Sequence, residues 1–202
     1  AAYAEKYDTF VIVDEVYSQI IYKPYTYTYF SELPHMHDRT ICVGSLSKTY
    51  SITGWRVGYI LGPEAVIDEI KKVHTFFTIS APSPLQEAAV TGLRFGGDYY
   101  DGLVKTYTEK RDILMKGLDD LGLKHNIPQG AFYLLVDISE FGYEKDTEFC
   151  EDLVRKVGVG SVPGSTFFAE DVQKYVRLHF AVNNETLYAA LNRLESIRSK
   201  LS

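Results

Sequence analysis

A short β-branched run, Phe10-Val11-Ile12-Val13, closed by the acidic pair Asp14-Glu15, sets the first limit on the fold. The run is brief and almost wholly apolar, which suits a buried strand of a parallel sheet. Thr40-Ile41-Cys42-Val43-Gly44 repeats the pattern after a polar, aromatic connection, and Val57-Gly58-Tyr59-Ile60-Leu61 is a third run, stopped by Gly62-Pro63. Helical stretches follow. Pro63 and Glu64 open one that carries Ile67, Ile70 and Val73, and Pro82-Ser83-Pro84 punctuates the chain before another through Gln86, Ala89, Val90 and Leu93. Strands and helices in this order imply an α/β layer.

Gly96-Gly97 marks a change of pattern. Beyond it Leu103, Tyr107, Arg111, Leu114 and Leu118 recur at helical spacing over residues 100–121, a long amphipathic helix. Then come an expected strand at 131–138, a helix at 147–157, a Gly-rich turn region, a strand at 175–181 and a last helix at 184–199. Asn183 or Asn184 suits the N-cap of that helix, whose apolar face is Leu187, Leu191, Leu194 and Ile197. The expected organisation is residues 1–100 as an α/β part and residues 101–202 as a smaller α+β domain, with neither internal repeats nor low-complexity stretches.

Composition narrows the function. With 202 residues, 46% hydrophobic, the chain can bury a sizeable core. A net charge of -6 argues against nucleic-acid binding, which draws on a local excess of Lys and Arg, and gives no help toward anionic membranes. No apolar run approaches the roughly 20 residues of a membrane span, and the start lacks the charged and apolar regions of a signal peptide. Ala1 is not Met, and a strand follows within a few residues, as expected of a chain that begins inside a domain; a processed terminus would look the same. Cys42 and Cys150 lie in a strand-like and a helical run, so two reduced, packed thiols in a cytoplasmic protein are expected. The 5 histidines show no metal-ligand spacing, and no Ser-His-Asp or Cys-His arrangement stands out.

The segment Ser45-Leu46-Ser47-Lys48-Thr49-Tyr50-Ser51-Ile52-Thr53-Gly54-Trp55-Arg56-Val57-Gly58 follows the second strand directly. Strand ends are where open α/β sheets place ligands. Hydroxyls, loop amides and a guanidinium are the groups that an anionic phosphate needs. A lone Lys in a loop is ordinarily a solvated surface residue, but here its neighbours carry chemistry.

This segment resembles the lysine attachment motif of class I and II aminotransferases, a pyridoxal-phosphate family of the type I fold. A Ser before the Lys, a small residue beside it, and a Gly and then an Arg downstream match without a gap. The resemblance extends over nearly the whole chain, but to the later part of a family member. It implies the later part of a mostly parallel sheet of the large domain, then a small C-terminal α+β domain. It also implies that Lys48 forms the internal aldimine with pyridoxal 5'-phosphate, that Ser45 and Arg56 hold the phosphate, and that Ser47 is a further candidate for that role.

Asp14-Glu15-Val16-Tyr17 is the second constellation. Alone it is a strand-end acid and a packed Tyr. Pyridoxal chemistry needs a carboxylate against the ring nitrogen and a hydrogen bond to the ring oxygen. The family supplies them with an Asp followed three positions later by Tyr, a pattern that Asp14 and Tyr17 match. Asp14 and Lys48 end adjacent expected strands and can face one cofactor.

Arg177, in Val176-Arg177-Leu178-His179-Phe180-Ala181, is the third element. A charge in an apolar strand suits an edge residue facing water. The resemblance instead makes it the clamp for the substrate carboxylate, after a Pro-Gly stretch that Val162-Pro163-Gly164-Ser165-Thr166-Phe167-Phe168 resembles. His179 beside it is expected to pack or to support it. Gly130-Ala131-Phe132-Tyr133 resembles a segment lining the substrate entrance, and equally suits a strand start with core aromatics.

The implied reaction moves an amino group from an amino acid, aspartate or aromatic favoured, to a 2-keto acid. The family's earlier half supplies a phosphate loop, a ring over the cofactor and a polar group to its oxygen, and the family builds each site across a homodimer. The isolated chain is therefore expected to be weakly active or inactive. A pyridoxal-phosphate C–S lyase and a non-catalytic ligand-binding module are the alternatives.

Overall fold

A computed structural model of the protein describes residues 1–201. The chain divides into two compact units, the first ending at Leu103 and the second beginning at Val104.

In the first unit, α1 (Ala2–Lys6) leads into β1 (Val11–Asp14), and a long irregular connection leads to β2 (Thr40–Ser45). β1 and β2 run parallel, in register from Val11 opposite Thr40 to Asp14 opposite Val43. The one-turn helix α2 (Leu46–Thr49) follows at once, and β3 (Gly58–Leu61) returns antiparallel to β2, from Cys42 opposite Leu61 to Ser45 opposite Gly58. The sheet is thus mixed, in the order β1-β2-β3. A parallel neighbour needs a full crossover, usually a helix, and a single turn only doubles the chain back.

Burial alternates along β1, so the expected covering of both faces holds for one face only. Ile12 is 72% exposed. The β1–β2 connection buries Ile20, Tyr22 and Met36 completely, and Thr40 Oγ1 donates to the Met36 carbonyl over 2.6 Å. Two helices follow, α3 (Glu64–Phe77) and α4 (Ser83–Leu93), and α5 (Gly97–Asp120) begins in this unit and continues into the second. Leu46, Val57 and Ala89 form a buried cluster against which Tyr50, Ile52, Trp55 and Leu85 pack. Burying each of its larger apolar side chains stabilises the turn by about 1.5–3 kcal/mol.

The second unit contains β4 (Tyr133–Asp137), α6 (Asp146–Asp152), β5 (Val162–Pro163), β6 (Tyr175–His179), α7 (Asn184–Leu194) and α8 (Ile197–Leu201). Its sheet is antiparallel, in the order β4-β6-β5, with β6 in the centre. Leu134, Val136, Val176 and Leu178 supply its buried face, and Leu118, Phe149, Phe180 and Leu187 are among the side chains buried with them.

The expected helix at 147–157 is α6 followed by a wide π-turn, Leu153–Val157, that stops at Gly158 with φ 83. The expected last helix is interrupted between α7 and α8. There both the N–H and the Oγ of Ser196 donate to the Arg193 carbonyl, a tighter local bond that competes with the helical ladder. At the other end, Asn183 caps α7 by accepting the Thr186 N–H over 2.8 Å.

Candidate active site

Lys48 is the third residue of α2 and is half-buried. Ser45, the last residue of β2, is the N-cap of that turn, and its Oγ accepts the Ser47 N–H over 3.1 Å. A hydroxyl that accepts in this way still has its own proton to donate outward. Ser47 is buried, and its carbonyl takes the Ile52 N–H over 3.0 Å and the Thr53 hydroxyl over 3.3 Å.

Arg56 is exposed and sits in the left-handed region, φ 56 and ψ 44. A non-glycine residue there costs about 1–2 kcal/mol, so the surrounding turn must hold it. Its Nη1 donates to the Thr53 carbonyl over 3.1 Å, and the Leu46 N–H donates to the Val57 carbonyl beside it over 3.2 Å. Ser45 faces Gly58 in the β2–β3 ladder, which brings the two ends of the Lys48 segment together. Gly44, opposite Tyr59, has no room for a side chain: a Cβ there would enter the Tyr59 ring.

Asp14 ends β1 on the exposed face, and its Oδ1 accepts the Val16 N–H over 3.0 Å. Because β1 and β2 are parallel, Asp14 and the Lys48 turn leave the sheet at the same end. Tyr17 is half-buried in the turn after β1, where its carbonyl accepts the Ile20 N–H over 2.9 Å. Glu15 belongs to the other face. One of its carboxylate oxygens, Oε1, is buried without a hydrogen-bond partner among the described residues. Burial pushes its pKa up, against a hydrogen bond with Cys42, and the charge of Glu32 adds to the rise.

In the second unit Arg177 lies in the central strand, opposite Leu135 on one side and Val162 on the other, so the edge position suggested by its charge is corrected. Its guanidinium carbon is 4.1 Å from the Tyr133 ring centroid and 4.0 Å from that of Phe167. Both rings lie within cation–π reach of the guanidinium and hold it in place. His179 is exposed at the end of the same strand, opposite Tyr133.

The Pro-Gly stretch is anchored by a residue that the motifs did not single out. Asp146, completely buried at the start of α6, accepts the Ser165 N–H over 2.7 Å and its hydroxyl over 2.9 Å. A Cβ on Gly164 would fall against the Tyr175 carbonyl, so glycine is required there. An Asp opening a helix signals at most a cap; nothing local tells that it reaches a loop later in the chain. Cys42 and Cys150 are free and buried, and burial raises both thiol pKa values. Among the described residues no group of His, Cys, Asp and Glu converges as metal ligands, and no helix is long and apolar enough to cross a membrane.

A family model described as aminotransferase class I and II matches residues 1–194. The chain is 39% identical over 198 residues to a bifunctional aspartate aminotransferase and glutamate/aspartate-prephenate aminotransferase of Petunia hybrida, covering 92% of this chain and 41% of that protein. It is 38% identical over 192 residues to a methionine aminotransferase of Escherichia coli, covering 95% and 50%. Among solved structures, an N-succinyldiaminopimelate aminotransferase from Mycobacterium tuberculosis superposes with a TM-score of 0.93 at 29% identity, over 98% of this chain and 52% of the other. The chain belongs to the class I and II aminotransferases, a pyridoxal-phosphate-dependent family whose solved members share its fold. It spans about half the length of the curated relatives it matches.

Proposed function

We propose that this chain is the later part of an aminotransferase that moves an amino group between an amino acid and a 2-keto acid, with Lys48 as the cofactor-binding and catalytic residue. Residues 1–100 belong to its large cofactor-binding domain and residues 101–202 form the small one. The carrying observation is the shared exit of Asp14 and the Lys48 turn from parallel neighbours β1 and β2.

The residues present fit pyridoxal 5'-phosphate. Ser45, Ser47 and Arg56 offer two hydroxyls and a guanidinium, the donors for a phosphate, and Asp14 offers an exposed carboxylate to a protonated ring nitrogen. Tyr17 would donate its hydroxyl to the ring oxygen. When bound, the cofactor supplies an electron sink that makes the substrate Cα–H acidic. Lys48 would hold the cofactor through its amine and, once freed, take up the Cα proton on Nζ and return it, acting as base and then acid. Arg177 would grip the α-carboxylate with two N–H groups, fixing both charge and orientation.

The matched relatives are named for aspartate, methionine and kynurenine. Within that range an aspartate or aromatic donor is the favoured substrate. The parent protein is proposed as a cytoplasmic homodimer, and this chain alone as weakly active or inactive. Product analysis on the full-length protein tests the reading. Keto acid together with an aminated acceptor supports it, with both lost in Lys48→Ala. Pyruvate plus ammonia from a sulfur amino acid makes the enzyme a lyase, and no turnover of either kind leaves a binding module.

A further inference from the structure

The helix that carries Lys48 has a single turn of 4 residues. A helix so short cannot stand alone, and its last carbonyls need partners from elsewhere. The chain just after it supplies most of them: the Leu46 carbonyl takes the Tyr50 N–H over 3.2 Å, that of Ser47 takes the Ile52 N–H over 3.0 Å, and that of Lys48 takes the Ser51 N–H over 3.4 Å. Thr49 is different. It is buried, and its carbonyl accepts the hydroxyl of Tyr99 over 2.7 Å, from the first turn of α5 and 50 residues away in sequence.

The next residue is gripped from the same place. Tyr50 shares a hydrogen bond of 2.8 Å with Tyr100 through their hydroxyls, and its ring stacks on that of Tyr99 at 5.7 Å. Phe95 meets the Tyr50 ring edge-on, and Gly92 of α4 leaves the space beneath it, where a Cβ would come within 3.1 Å of the ring. Burial raises the pKa of Tyr50 and of Tyr99, so both keep their phenolic protons at neutral pH and Tyr99 remains a donor.

We propose that Tyr99 is a positioning residue for Lys48, holding the one-turn helix by the Thr49 carbonyl while its ring and Tyr100 hold Tyr50. Ser45 fixes the other end of the turn as its N-cap, so the lysine-bearing segment is pinned at both ends. A lysine that attacks a carbonyl and later carries a proton gains from such fixing, because errors of about 1 Å in placement cost rate steeply. The proposal rests on the reading of Lys48 as the cofactor lysine.

The test uses the full-length protein and its Tyr99→Phe variant, which keeps the ring and removes only the hydroxyl. Apo protein is mixed with pyridoxal phosphate. The readouts are the rate at which the visible cofactor band appears and the circular-dichroism intensity of that band per bound cofactor. Neither depends on how much of the sample is folded once normalised to bound cofactor. Borohydride reduction with peptide mapping identifies the labelled lysine. Expected are label on Lys48 in both proteins, a rate in the variant lower by about threefold to tenfold, the size of one neutral hydrogen bond, and an altered band intensity. A variant equal to the parent in rate and band overturns the proposal while leaving the function intact. A parent that does not label Lys48 overturns both. Should Tyr99→Phe fail to fold, Tyr99→His replaces it, which keeps a planar ring but is too short to reach the Thr49 carbonyl as the phenol does: a slower rate and an altered band are again expected, and no change in either overturns the proposal.

Discussion

The guanidinium carbon of Arg177 lies 4.0 Å from the centre of the Phe167 ring. The strand places the charge and a separate loop places the ring, so the grip on a substrate carboxylate proposed for Arg177 would depend on both. Removing that ring in Phe167→Ala leaves the guanidinium in place with one wall missing. A cation–π contact is worth about 0.5–2 kcal/mol, so KM for the amino acid should rise by several-fold in the full-length enzyme, with kcat little changed. Steady-state kinetics with two amino acid donors checks this, since loss of a carboxylate clamp should affect both alike.

Asp146 and Ser165 hold the loop that carries Phe167. In Asp146→Ala two donors on the half-buried Ser165 lose their acceptor, a loss of about 1–3 kcal/mol for each group that water cannot reach. Urea denaturation should show a lower midpoint. Asp146→Asn, which keeps an acceptor oxygen, should lie between the variant and the parent.

Glu15 makes stability depend on pH. Burial raises its folded pKa above the ordinary 4.5, so between that value and the raised one the folded chain binds more protons than the unfolded chain. Stability therefore falls as pH rises through the window, and the contribution is fully present below it. Glu15→Gln should flatten this slope in thermal midpoints measured on this chain from acid to neutral pH. An unchanged slope would mean that the carboxyl titrates normally.

Much of this architecture was legible in the sequence because it is local. The β-branched runs, the Pro-opened helices and the Asn183 cap each carry a signal within a few residues, and the structure has β1, β2, α3, α4 and α7 at those places. Direction is not local. The residues of β3 describe a strand equally well in either sense, and only the short return through α2 makes it antiparallel. The interruption at Ser196 was hidden in the same way, because Leu194 and Ile197 keep helical spacing across it.

The motif around Lys48 could be read from hydroxyls and an Arg at fixed spacing, as could Asp14 with Tyr17. What supports them could not. Tyr99 meets Thr49 across 50 residues, and Asp146 meets Ser165 from another element; neither pair has a pattern that a window along the chain would detect. The charge of Arg177 taken alone suited an edge strand as well as a clamp, because apolar runs do not reveal which strand is central.

The role of Lys48 is tested most directly by borohydride reduction of the full-length protein after incubation with pyridoxal phosphate, followed by peptide mapping. The account predicts a phosphopyridoxyl group concentrated on Lys48 and lost in Lys48→Ala. Label scattered over surface lysines, or concentrated on a different lysine, would contradict it.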